Sequence, residues 1–119
     1  MAGKRSILIV EDEPLIAMML EDFLESLGHH VVATCESVEE AMERVRAGGF
    51  DVAIIDVQLK DGKQVWPVAD RLAADGTPFV LATGGHVDPP PEQHAGAPIL
   101  SKPYTIDAIA PALDRACGV

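Results

Sequence analysis

Cysteine is scarce in this chain: Cys35 and Cys117 are the two in 119 residues, too few and too far apart for a zinc-ligand spacing or a disulfide-dense secreted scaffold. Both are read as ordinary reduced thiols. Aromatic residues are also few, at 4%. Trp66 and Tyr104 are too isolated for a base-stacking platform and are expected to pack at helix and loop edges. Basic residues are outnumbered, nine Lys and Arg against nineteen Asp and Glu, for a net charge of −10. Such a surface repels phosphate backbones and anionic lipids, which argues against direct nucleic-acid binding and against a membrane partner. No apolar run approaches the ~20 residues of a membrane span. The run after the basic N-terminus, Ile7 to Val10, ends in Glu11 and Asp12 and is too short for a signal-peptide core. A cytoplasmic location is expected.

What the chain does have is 48% apolar residues, too many for disorder and enough for one core. A single domain over residues 1–119 is expected. Short aliphatic runs alternate with longer helical patterns. Ile7 to Val10, Val52 to Ile55 and Phe79 to Ala82 are unbroken, as in central strands covered on both faces, while Val31 to Cys35 and Ile99 to Ser101 are weaker and read as nearer the edges. Pro14 suits the first turn of a helix whose Ile16, Met19, Leu20, Phe23, Leu24 and Leu27 share one face, ending at Gly28. Ser37 to Glu40 is a capping box opening a second helix that stops at Gly48 and Gly49. A third helix is predicted over 64–74 and a last one over 106–116. Strand followed by helix, five times over, predicts an α/β fold: a doubly wound, five-stranded parallel sheet with helices on both faces. One unit is irregular. Where the fourth helix belongs, Gly84 to Gly96 is too rich in Gly and Pro for more than a turn or two.

In such sheets ligands bind beyond the carboxyl ends of the strands, where the strand order reverses. The residues there are Glu11, Asp12 and Glu13 after the first strand, Asp56 after the third, Thr83 after the fourth, and Lys102 and Pro103 after the fifth. If the first and third strands are neighbours, Glu11, Asp12 and Asp56 converge. Three carboxylates so placed resist ionising together without a cation. Oxygen ligands with no His or Cys select a hard ion, and so few of them leave room for water, which favours Mg2+ over calcium. The backbone carbonyl of Gln58 is a further candidate ligand. Such a metal awaits a phosphoryl group, whose oxygens Thr83 and Lys102 can receive; Asp56 is then the candidate nucleophile, giving an aspartyl-phosphate.

These residues resemble the receiver domain of a two-component response regulator. The likeness runs over nearly the whole chain: the acidic pair in Ile7 to Glu13, the acceptor in Ile54 to Gly62, the hydroxyl in Leu81 to Gly84, and Lys102-Pro103-Tyr104, in order and at receiver-like spacing. The resemblance implies a flavodoxin-like strand order 2-1-3-4-5 and Asp12 as a direct metal ligand, with Glu11 holding the ion directly or through water. It also implies phosphorylation of Asp56 by a sensor histidine kinase or histidine phosphotransfer protein, contacts from Lys102 and Thr83 to the phosphoryl oxygens, a cis Lys102–Pro103 bond, and a downstream protein target. It makes the chain a phosphoacceptor regulator of a phosphorelay rather than an enzyme. Three departures stand out. Ile99 occupies the place of the usual switch aromatic, Lys60 stands where a proline often follows the acceptor, and the fourth crossover is irregular. With Pro78 to Gly85, the last of these is similar to the receiver subgroup named for its Phe-Ala-Thr-Gly-Tyr type motif, which also lacks the switch aromatic. The Gly84 to Gly96 stretch is therefore expected to be the element that responds to phosphorylation.

Each residue alone has a plainer reading: Asp56 as a turn cap, Glu11 and Asp12 as acids at a helix N-terminus, Thr83 as a loop hydroxyl, Lys102 as a surface charge. Jointly they favour the phosphoacceptor site. His29, His30, His86 and His94 do not follow a strand beside the carboxylates and are read as surface loop residues. Three alternatives remain. A haloacid-dehalogenase-like Mg2+-dependent phosphatase needs an acid two residues after its nucleophile, where Gln58 stands. A flavin mononucleotide binder needs a Gly- and Ser/Thr-rich phosphate loop where Glu11 to Glu13 stand. The last is a receiver-like interaction module that is not phosphorylated.

Overall fold

Each apolar run becomes a strand because it has two faces to bury. In the computed structural model, which describes residues 4–57, 59, 64–84 and 90–118, the chain order is β1 (Ser6–Val10), α1 (Pro14–Ser26), β2 (His30–Cys35), α2 (Val38–Ala47), β3 (Val52–Asp56), α3 (Trp66–Ala74), β4 (Phe79–Thr83), a 3₁₀ turn (Glu92–His94), β5 (Ile99–Ser101) and α4 (Ile106–Ala116). The sheet is parallel throughout, in the order β2-β1-β3-β4-β5. This is the doubly wound, flavodoxin-like arrangement the sequence predicts.

The period of two along each strand divides the core into two layers. Leu8, Val10, Ala53, Ile55 and Leu81 face α2 and α3, meeting Ala41, Val45, Val68 and Leu72. Ile7, Ile9, Val52, Ile54 and Val80 face α1 and α4, meeting Leu20, Leu24, Ile109 and Leu113. Every residue of β3 is buried, so the central strand carries no solvent face to offset with polar residues.

The helix boundaries follow local chemistry. Pro14 begins α1, and Gly28 after its end takes φ +90°, a backbone region other residues rarely adopt. Ser37 Oγ accepts from the Glu40 amide at 3.1 Å, while Glu40 Oε1 accepts from the Glu36 amide at 2.7 Å, a capping box with its return bond one residue early. Helix α3 begins at Trp66 rather than at Gln64, because Pro67 fits only the first turn.

Three packing expectations are corrected. Tyr104 is no edge residue: it is 4% exposed and sits in the α1/α4 layer. His29 and His94 are buried rather than on surface loops. His30 is exposed as expected but opens β2 rather than lying in a loop, and His86 lies outside the described residues.

Candidate functional site

The order reversal falls between β1 and β3, since the chain leaves β1 for β2 on one side and returns to β3 on the other. Val10 pairs with Ile55, which places Glu11 and Asp56 at the same end of adjacent strands. Glu11 is fixed further by its own amide, which donates to the Cys35 carbonyl at 2.9 Å. Among the described residues, Glu11, Asp12 and Asp56 form a cluster with one carboxylate oxygen from each lying within 4.8 Å of the others. Glu11 and Asp56 are buried, Asp12 half-buried.

Lys102 completes the cluster. Strand β5 pairs with β4 through Thr83 and Ser101, the Lys102 amide donates to the Thr83 carbonyl at 2.8 Å, and the Lys102–Pro103 bond is cis. The ammonium reaches 2.6 Å from Glu11 Oε1 and 2.8 Å from Asp56 Oδ2. The Asp56 contact is a well-directed hydrogen bond. The Glu11 contact is an ion pair at a poorer angle, so that Glu11 Oε1, though fully buried, accepts no well-formed hydrogen bond. Glu11 Oε2 accepts from the Glu13 amide at 3.2 Å. Gly84 lies against the stem of Lys102: a Cβ added there would sit 3.4 Å from Lys102 Cδ.

The electrostatics follow from this crowding. Burial pushes the Glu11 carboxyl above its usual range, the Asp56 charge pushes it further, and Lys102 opposes both. Burial pulls the Lys102 ammonium down, but the hydrogen bond to Asp56 and the close pairing with the Glu11 carboxylate outweigh it and leave its pKa raised. Burial drives the Tyr104 hydroxyl far above its usual value, reinforced by the charges of Glu11 and Asp56.

The structure thus gathers Glu11, Asp12, Asp56 and Lys102 in one cluster and puts half-buried Thr83 at the end of the strand beside Asp56, where Asp56 pairs with Ala82. Gln58 and Lys60 lie outside the described residues. Two features escaped sequence reasoning. The backbone support of Glu11 by Glu13 is set by turn geometry and leaves no mark in residue type. Tyr104, next to Lys102-Pro103, lies near enough to the acids to feel both charges, and its place two residues after Lys102 was the available signal.

Comparison with known proteins agrees with the fold. The response regulator receiver domain family matches residues 7–114. The chain is similar to the phyllosphere-induced regulator PhyR of Methylorubrum extorquens, 42% identical over 82 residues, which is 65% of this chain and 30% of PhyR; it thus spans less than a third of the curated relatives it matches. Among solved structures it resembles SdrG from Sphingomonas melonis Fr1, with TM-score 0.87 and 51% identity across the whole of both chains. It also resembles the BeF3-activated conformation of SdrG from Pseudomonas melonis Fr1, with TM-score 0.80 and 52% identity over 94% of this chain and 95% of that one. With the matched region running from the first core strand into the last helix, the chain belongs to the response regulator receiver domain family.

Proposed function

We propose that the chain is a phosphoacceptor switch in which Asp56 takes a phosphoryl group from a histidine kinase or phosphotransfer protein. The observation that carries this reading is the arrangement of Asp56: a buried carboxylate at the strand-order reversal, hydrogen-bonded to Lys102 and flanked by two further acids. A carboxylate oxygen of Asp56 attacks phosphorus as the bond from phosphorus to the donor imidazole nitrogen breaks, and the electron pair leaves with the donor. Lys102 gives up its contact to Asp56 and follows the charge onto a phosphoryl oxygen; Thr83 Oγ1 donates to another. That a relative with 52% identity has a BeF3-activated conformation supports the same reading.

The donor set fits Mg2+. Glu11, Asp12 and Asp56 offer hard oxygens within 4.8 Å of one another, and the cluster with Lys102 carries a formal charge of −2. The buried Glu11 oxygen that is ion-paired to Lys102 but accepts no well-formed hydrogen bond is what a site built to exchange one cation for another leaves behind. Glu11, Asp12 and Asp56, with the Gln58 carbonyl as a fourth candidate, would hold it. When bound, Mg2+ supplies positive charge against the phosphoryl oxygens in the transition state. The chain is read as one regulator domain acting through a downstream protein partner.

The test is intact mass after incubation with acetyl phosphate and Mg2+. A labile one-phosphate adduct is expected on the wild-type chain and none on Asp56→Asn. Full stoichiometry on the variant would place the nucleophile elsewhere, and no adduct on the wild type would favour the non-phosphorylated interaction module.

A further inference from the structure

Among the described residues of the connection from β4 to β5 lies the 3₁₀ turn Glu92–His94, and this part is firmly built. Around the 3₁₀ turn the His94 amide donates to the Pro91 carbonyl at 2.8 Å, and the Ala97 amide donates to the His94 carbonyl at 3.1 Å. The His94 side chain, 2% exposed, points into the body of the protein. Its ring stacks on Trp66, with centroids 5.9 Å apart and planes 14° apart, and meets Phe79 edge-on at 5.5 Å and 75°. Its Nε2 lies 2.6 Å from Asp70 Oδ1. Trp66 and Asp70 are one helical turn apart on α3, and Phe79 opens β4, so a single ring is held by two elements at once. Trp66, Phe79 and Ala97 all belong to or pack on the α2/α3 layer of the core. Hydrogen bonding to His94 also holds the exposed Asp70 carboxyl below its usual range.

A buried ring clasped on one face, one edge and one nitrogen has little rotational freedom. The other end of the connection is tied at the site, where the Thr83 carbonyl accepts the Lys102 amide at 2.8 Å and a Cβ at Gly84 would meet the Lys102 stem. The two ties divide the connection unequally between the site and α3.

We propose that His94 is a peg that keeps residues 92–97 seated on α3 in both signalling states, so that a change starting at Thr83 and Gly84 stops before Glu92. This rests on the phosphoacceptor reading for the existence of two states. It narrows the whole Gly84 to Gly96 stretch, which the sequence marks as responsive, to the part nearer the phosphate. A partner that distinguishes the two states would then read the surface beside Thr83 and Gly84, and would find the α3 flank unchanged.

Amide exchange and ring resonances of the full chain test this, with and without Mg2+ and beryllofluoride. In the resting protein, His94→Ala and, as a surface variant that spares the buried ring, Asp70→Ala should each speed exchange at the Ala97 amide by about tenfold or more while sheet amides keep their protection. In the wild type, beryllofluoride should shift the Thr83 and Gly84 amides and leave the cross-peaks between the His94 and Trp66 rings in place. In His94→Ala the shifts should spread into 92–97. Unchanged Ala97 exchange in both variants, or loss of the His94–Trp66 cross-peaks on activation, would overturn the peg. If beryllofluoride shifts nothing at Asp56, Thr83 or Lys102, the phosphoacceptor reading fails instead, and the resting-state exchange still decides whether His94 pins the turn.

Discussion

Replacing Lys102 with methionine keeps most of the stem against Gly84 and deletes the charge between Glu11 and Asp56. With contacts of 2.6 and 2.8 Å and an effective dielectric of about 20, each ion pair is worth ~6 kcal/mol before desolvation, and two carboxylate oxygens no more than 4.8 Å apart repel by at least ~3.5 kcal/mol. The lysine's own desolvation offsets much of the attraction, but deleting one partner leaves the other charges buried. Losses of that kind run about 3–5 kcal/mol. The site should fall at the low end, about 3 kcal/mol at pH 7, because Asp12 is half-exposed and Glu11 can relieve the strain by taking a proton. That escape sets the pH dependence. The Glu11 pKa is already raised in the folded protein and rises further without Lys102, so the folded variant binds a proton more readily than its unfolded chain. Its deficit against wild type must therefore shrink as the pH falls from 7 towards 5. Mg2+ should also rescue the variant more than the wild type, since it enters without displacing the ammonium. Urea unfolding followed by circular dichroism should show a midpoint lower by roughly 1–3 M at pH 7 without metal. A deficit under about 1 kcal/mol, or one indifferent to both pH and Mg2+, would refute the account of Lys102 as the cluster's internal cation.

Two further expectations concern groups away from the site. His29 Nδ1 accepts the Arg5 amide at 3.1 Å, and burial, then the Arg5 charge, lowers its pKa below 6.5; the unfolded chain protonates first, so stability should be lost as pH falls through about 6.5. Subtracting the pH profile of a His29→Gln variant from that of wild type isolates the effect, and a flat difference between pH 7.5 and 5 would count against it. Cys35 is 1% exposed with its thiol pushed up to about 11 by burial, so iodoacetamide should label Cys117 alone in the folded protein and both in urea; native labelling of Cys35 would mean the β2 end opens.

The sheet was legible because its signal is local and redundant. Ile7 to Val10 and Val52 to Ile55 can be little but buried strands, and once alternation with helices makes the sheet parallel, the ends of those strands fix where Glu11, Asp12 and Asp56 go. Lys102 was legible for the same reason, lying one residue beyond β5. What stayed hidden depends on contacts between segments. His94 sits in a Gly- and Pro-rich stretch with no period to read, and only the fold brings Trp66, Asp70 and Phe79 around it. Tyr104 is an isolated aromatic in the sequence, which points to an edge, while its burial is supplied by contacts in the α1/α4 layer. The Gln58 carbonyl lies outside the described residues.

The position of Ile99 bears on how a signal leaves the site. It is 44% exposed on β5, while Leu100 beside it is buried, and as an isoleucine it has no ring to turn inward. Thr83 is instead joined to its surroundings through the backbone. Its carbonyl accepts the Lys102 amide, its strand pairs with Asp56 on one side and Ser101 on the other, and a Cβ on the next residue would meet the Lys102 stem at 3.4 Å. A pull on Thr83 from a phosphoryl oxygen would therefore act on the same backbone that places Lys102, tying hydroxyl and ammonium to one movement. The β4–β5 ladder can transmit that movement as a small shift of β5 without any ring rotation, and the His94 peg gives the shift a fixed reference on α3. A receiver can in this way dispense with the aromatic at 99, provided the crossover is anchored at its far end. The buried histidine in an otherwise irregular segment supplies that anchor.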